Sequence, residues 1–270
     1  MTRILITGAT GSLGRVVWRH ATAAGWTAIG TYLSTRAAGA TERLDVRDPA
    51  DVRRVLRETA PDVVVHTAAG RDRDDWATTA DGAANVAVAA AAAGVRLVHV
   101  STDALFSGRE VHYDEDARPD PIYRYGAAKA AAETAVRAIA PGAAVVRTSL
   151  ILGDGNGAHE HLTRALIAGR VRGALYTDDI RMPVHVDDLA AALLELAAGD
   201  LAGVLNVAGA DPMSRYDLGV LVARREGLDP AAIPAARTPP GRPADVRLVI
   251  DRARRLLTIR LRGAREFLAA

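Results

Sequence analysis

The sequence of 270 residues contains no cysteine. That absence excludes a disulfide framework, a thiolate nucleophile and any Cys-ligated zinc or iron–sulfur centre. Lysine is almost absent too. Of the 34 basic residues, every one is arginine except Lys129. No apolar run approaches the roughly 18 residues that a membrane span needs. The Ile4-Leu5-Ile6 stretch after Met1-Thr2-Arg3 is too short for a secretory signal core, so a soluble, cytoplasmic protein with no membrane contact is expected. Charge of one sign is lacking as well. The 34 basic residues oppose 32 acidic ones for a net +2, which is no basic surface built for nucleic acid. Internal repeats and blocks of like charge do not occur. The seven histidines show neither H-x-x-x-H nor H-E-x-x-H spacing, so no metal site is expected. His159 and His161, beside the glycine-rich stretch 153–157, read as solvated.

What is present is an ordinary globular composition, 49% hydrophobic and 24% charged. The length suits one large domain or two small ones. Short β-branched runs at 3–7, 27–32, 62–67, 96–101, 143–148 and 204–207 alternate with helical stretches at 14–24, 49–59, 81–93, 125–140, 187–198 and 214–226. Such alternation is that of β-α-β units around a parallel sheet covered on both faces. The fold class is therefore α/β, a Rossmann-type doubly wound parallel sheet. A nucleotide-binding domain is expected over 1–150, with 184–209 returning to it. A smaller, partly interleaved substrate region takes 151–183 and 210–270. Asp187 and Asp188 read as helix N-terminal residues. Ser214 with Asp217 reads as a capping box in which Asp stands for the usual Glu.

Between the first strand and the first helix lies Thr7-Gly8-Ala9-Thr10-Gly11-Ser12-Leu13-Gly14. Glycines there let the backbone turn and approach a pyrophosphate, whose charge is met by free N–H groups at the helix start. The second strand ends in Tyr32-Leu33-Ser34-Thr35-Arg36 without a carboxylate for ribose hydroxyls. Arg36 suits a 2′-phosphate, so NADP is preferred over NAD. Further on, Tyr125 and Lys129 stand four apart near a helix start and so share one face. A free phenol, with a pKa near ~10, is a weak acid toward a carbonyl at neutral pH; a nearby ammonium stabilises the phenolate and brings that value down. Arginine is a larger planar fork and does this less well, which gives a chemical reason for one lysine in an arginine protein. Thr102, where a strand ends, can orient a substrate oxygen toward Tyr125.

The glycine spacing with its flanking threonines, Tyr125-x-x-x-Lys129 and Ser101-Thr102-Asp103 together resemble the extended short-chain dehydrogenase/reductase superfamily. The run Val100 to Gly108, the acidic segment 113–116, the proline-rich approach 119–121, Arg147-Thr148-Ser149, Arg181-x-Pro183 and Arg242-Pro243 resemble its dTDP-4-dehydrorhamnose reductase branch. The resemblance implies that Gly8, Thr10, Gly11, Ser12, Leu13 and Gly14 hold the pyrophosphate. It implies that Asp45 and Val46 contact the adenine, that Ala68 and Ala69 line the cofactor, and that Asn85 supports the active-site lysine through water. Asp103, Ala104, Leu150, Arg181 and Arg242 fall at substrate positions, the two arginines as diphosphate ligands. Leu150 replaces the branch's usual tryptophan and removes a stacking surface for a sugar; the stretch 177–183 also departs from the branch.

The activity implied is NADPH-dependent reduction of a 4-keto sugar nucleotide by a possible homodimer. Two alternatives stay open: an epimerase or dehydratase with tightly held NAD, and a non-catalytic NADP-binding subunit similar to the regulatory subunit of methionine adenosyltransferase.

Overall fold

The computed structural model describes residues 1–70, 72 and 74–269. Its centre is one parallel sheet of seven strands: β1 (Arg3–Thr7), β2 (Thr27–Tyr32), β3 (Ala40–Arg43), β4 (Val63–His66), β5 (Arg96–Val100), β6 (Ala144–Arg147) and β7 (Gly203–Asn206). The spatial order is β7-β6-β5-β4-β1-β2-β3. This is the doubly wound, Rossmann-type arrangement, and the order reverses at β1 between β4 and β2. A crevice opens there at the carboxyl ends of the strands.

Period-two alternation decides which helices cover which face. Leu5, Val64, Leu97 and Val145 pack with Val52, Val86, Ala132 and Val136, from helices α2 (Pro49–Thr59), α3 (Gly82–Ala93) and α4 (Arg124–Ile139). Ile4, Ile6, Val65, Val98 and Val146 pack on the opposite face with Val16, Val17, Leu189 and Leu193. Those side chains come from α1 (Ser12–Ala23) and from α6 (Val186–Ala198). With both faces covered, the strands read as unbroken apolar runs. Local signals set the ends. Asp48 accepts from Ala50 N–H at 2.8 Å with Pro49 at the first helical position, and Gly94 takes a left-handed φ of 64° to end α3.

The six expected strands are all present to within one residue, and the expected helices to within two. Strand β3 was not expected. It is a polar edge strand, Ala-Thr-Glu-Arg, with only Ala40 buried, and charged edges carry no apolar signature. A second unexpected element is the helix α5 (Ala158–Ile167). It begins where the carboxylate of Glu160 collects the N–H groups of Gly153, Gly155 and Gly157. His159 therefore is not solvated. It is 3% exposed on the inner face of α5, and burial pushes its pKa down to about 3.

Beyond the sheet, α5 and the helix α7 (Arg215–Arg225) pack over small apolar clusters around Leu152, Met213 and Leu218 and around Leu166 and Leu175. Two-residue strand pairs join the segments: 180–181 with 213–214, 184–185 with 151–152, and 175–176 with 235–236. At α7, Ser214 Oγ accepts from Asp217 N–H at 3.0 Å and donates to its carboxylate at 2.7 Å. Asp187 and Asp188 stand in the first turn of α6.

Candidate active site

A cavity of about 750 Å³ lies at the switch point between β1 and β4. Its floor is the turn from β1 into α1. Gly8 has φ +69°, and a Cβ there would come within 2.8 Å of the Ala68 backbone. On Gly14 a Cβ would meet the Gly8 carbonyl and Thr67 Oγ1. Packing thus explains two of the three glycines. Gly11 is different, because a Cβ on it would meet only Gly8 O, at 3.2 Å. Its bareness leaves room on the cavity side. No side chain caps α1, and no acidic residue occupies its first turn. The free N–H groups and positive helix end are therefore presented to the cavity, which fits a dinucleotide pyrophosphate.

At one end Asp45 and Val46 line the wall beside Tyr32, Leu33, Ser34 and Arg47. Arg47 grips Asp45 through two bonds of 2.8 and 2.6 Å, which holds the Asp45 carboxyl below its ordinary range. Arg36 does not take the expected place. Past Ser34 the chain leaves the wall, and Arg36 is exposed. Asn85 Nδ2 donates to the carbonyls of Val46 (3.0 Å) and Arg47 (3.2 Å), so it fastens the wall at 45–47 to α3.

At the other end Thr102, Tyr125 and Lys129 line the same cavity, as do Ala68 and Ala69. Thr102 follows β5, and its Oγ1 accepts from Ala104 N–H at 3.2 Å. Tyr125 sits in the first turn of α4. Gly126, next to it, lets that turn press onto the Ala104 carbonyl, where a Cβ would clash. Lys129, one turn on, is 4% exposed. Its Nζ donates to Val100 O at 2.6 Å, and burial pushes its pKa down to about 8.

The expected substrate residues separate. Asp103 is buried. It accepts from Ser149 Oγ at 2.6 Å, and desolvation raises its pKa against the pull of Arg181. Ala104 and Leu150 do not line the cavity. Ser149 and Ile151 do, and between them Leu150 turns the other way, against the Leu152 cluster. Arg181 is unavailable as a diphosphate ligand. It pairs with Asp179 at 2.7 Å, stands 3.8 Å from Asp103, and donates to Ile180 O and Pro243 O. Arg242 is exposed and lies over the rings of Tyr123 (5.9 Å) and Tyr176 (5.2 Å). Among the described residues no carboxylate pairs with it.

Comparison with known proteins gives the lineage. The family model described as the RmlD substrate binding domain matches residues 1–270. The chain belongs to that family. A dTDP-4-dehydrorhamnose reductase of Mycolicibacterium smegmatis is 34% identical over 86% of this chain and 71% of its own length. Methionine adenosyltransferase 2 subunit beta of Danio rerio is 30% identical over 93% of this chain and 83% of its own. Among solved structures, dTDP-4-dehydrorhamnose reductase from Bacillus anthracis in complex with NADP superposes with a TM-score of 0.85, at 25% identity, over 99% of this chain and 97% of that one.

Within this RmlD-family fold, several lining residues carry no sequence signature. Arg47, Asp75 and Thr78 are examples. Asp75 accepts from Thr78 Oγ1 at 2.6 Å, a bond that holds its carboxyl below the ordinary range. Asp75 lies just ahead of, and Thr78 within, the short π-helical turn Ala77–Asp81 that leads into α3, where the α-helical period is broken and does not announce which side chain faces inward. Among the described residues no group of His, Asp and Glu is placed to hold a metal. None of the described helices is long and apolar enough to cross a membrane.

Proposed function

We propose that this chain is an NADPH-dependent reductase of the keto carbonyl in a 4-keto sugar nucleotide. The observation that carries the reading is the convergence of Thr102, Tyr125 and buried Lys129 on the cavity floored by the glycine loop. The bound nicotinamide supplies the hydride. Thr102 Oγ1 orients the substrate carbonyl. Tyr125 gives its phenolic proton to the carbonyl oxygen as charge develops there, completing the alcohol and leaving a phenolate that solvent reprotonates. Lys129 stabilises that phenolate and faces the ribose hydroxyls. Preference for NADPH over NADH rests on the carboxylate-free end of β2 at Tyr32, Leu33 and Ser34, with Arg47 now the cation of that wall in place of Arg36. The Bacillus anthracis neighbour with NADP supports it, as the Mycolicibacterium relative supports the reductase. Of the two arginines at substrate positions, Arg242 is the one without a carboxylate partner among the described residues, and a diphosphate would have to meet it outside the cavity lining, where it rests on Tyr123 and Tyr176.

The test is NADPH consumption against a panel of dTDP-, UDP- and GDP-linked 4-keto sugars, repeated with NADH. Turnover of at least one with NADPH is expected. Normal melting and cofactor binding without turnover of any would overturn the reading. In its favour, the alternative of an accessory subunit has a relative, from Danio rerio, that aligns over more of this chain than the mycobacterial reductase does. Stable co-purification with a methionine adenosyltransferase catalytic subunit, and no sugar turnover, would establish that alternative.

A further inference from the structure

Two histidines occupy positions in the middle of the sheet where an aliphatic side chain would serve the core better. His66 ends β4 as Val-Val-Val-His, and His99 lies in β5 as Arg-Leu-Val-His-Val. They are register partners in neighbouring strands. Their rings stack with centroids 5.3 Å apart and planes at 24°. Both are buried, at 1% and 0% exposure. Each ring leaves one nitrogen without a partner, Nε2 of His66 and Nδ1 of His99. An unsatisfied buried polar atom is destabilising, and two valines would avoid it. The nitrogens that are engaged show what the pair does. His66 Nδ1 lies 2.7 Å from Thr7 Oγ1, and Thr7 Oγ1 in turn accepts from Ala68 N–H at 3.3 Å. His99 Nε2 lies 3.5 Å from Lys129 Nζ, the outer limit of a hydrogen bond.

An ammonium has three N–H groups and no acceptor. One N–H of Lys129 goes to Val100 O at 2.6 Å and a second points at His99 Nε2. One remains for the cavity that Lys129 and Tyr125 both line. For His99 to accept from an ammonium its Nε2 must carry no proton, so the ring is neutral with its proton on Nδ1. Asn85, the other side chain expected to support the lysine, is tied to carbonyls 46 and 47.

We propose that His99, braced by its stack on His66, is the positioning residue for Lys129, holding the ammonium so that a single N–H is directed at the ribose and Tyr125. This deepens the reductase reading and rests on it for the consequence in turnover. The positioning itself is testable without activity. The titratable groups around Lys129 are Tyr125, one turn back on α4 and lining the same cavity, Glu133, one turn further along, and His66 and His99 from the sheet. The Glu133 charge favours the ammonium, whereas the neutral His99 imidazole offers it an acceptor without competing for the charge.

Because Lys129 is the only lysine, protein labelled at the lysine side-chain nitrogen gives one amine resonance, and its titration reads this residue alone. We expect His99→Val to lower that midpoint by about one pH unit and His99→Gln, which keeps an acceptor, to restore most of it. Turnover of a keto sugar at neutral pH should fall roughly tenfold in His99→Val, with the pH profile displaced in the same direction, and recover in His99→Gln. A midpoint in folded His99→Val that is unchanged or raised overturns the proposal, whatever the activity. Absence of turnover in the unmodified protein, with the midpoint shifting as expected, would count against the reductase reading and leave the positioning intact. Should His99→Val fail to fold, nitrogen NMR of the imidazoles in the unmodified protein decides. An unprotonated Nε2 on His99 that responds when Lys129 titrates supports the proposal, and a protonated Nε2 overturns it.

Discussion

At the glycine-loop end of the cavity the wall is backbone and small side chains, whereas the region behind Thr102 is built from charged groups paired with one another. Gly8, Gly11 and Gly14 present N–H groups and bare surface. Behind Thr102, Asp103 is held by Ser149 and faces Arg181, and Asp179 bridges Arg181 and Arg215. A pyrophosphate is the same in every dinucleotide, so one backbone geometry suits it. The region behind Thr102 instead holds buried charges, and a charge removed from water must be paired where it stands. The difference teaches that an arginine near a site is not thereby a ligand.

The largest expected effect tests the reacting end. Tyr125→Phe should lower turnover by about 10³-fold while NADPH binding, followed by fluorescence titration, stays within about twofold. A parallel loss of both would show that the two ends of the cavity are not separable. Next comes the paired scaffold. Arg181→Met removes the guanidinium between buried Asp179 and Asp103, leaving Asp179 with Arg215 and Asp103 with Ser149 alone, and should cost about 3 kcal/mol in denaturant unfolding. Arg242→Ala should cost under about 0.5 kcal/mol and raise KM for the sugar nucleotide. Equal stability losses would erase the contrast drawn between the two arginines.

A third test is acid sensitivity. Burial lowers His66 and His159 from 6.5 to about 3. Between those values the unfolded chain binds more protons than the folded one. Stability is therefore present above pH 6.5 and falls as pH drops toward 3, by up to about 1.4 kcal/mol per pH unit for each histidine. A folded His159→Phe variant should lose one histidine's share of that slope in unfolding curves taken from pH 7 to pH 5. The smallest effect concerns the glycine without a packing role. Gly11→Ala should leave the cofactor-free melting temperature nearly unchanged, at a cost of about 0.5 kcal/mol or less. It should weaken NADPH about tenfold, because the added methyl enters space meant for the pyrophosphate. A large drop in melting temperature would instead make Gly11 a packing residue like Gly14.

The contrast also explains what was legible in the sequence. Strands buried on both faces, the glycine spacing and the Tyr125–Lys129 interval report directly on geometry, because periodicity and backbone reach are local properties. Strand β3 and helix α5 were not legible, since an edge of charged residues and a run of glycines hide the period. Asn85 and Arg181 show a further limit. Their partners, the carbonyls at 46 and 47 and at 180 and 243, lie far away in sequence or belong to the main chain. A sequence names side chains, but it does not announce which carbonyl will stand opposite them.

Main-chain acceptors have a consequence for how such a protein changes over generations. Arg147, itself buried and paired with Glu133, donates to the carbonyls of Glu115 and Ala117, and Arg181 donates to that of Pro243. Every amino acid supplies the same carbonyl. The loops so anchored can exchange their side chains one after another without losing their moorings.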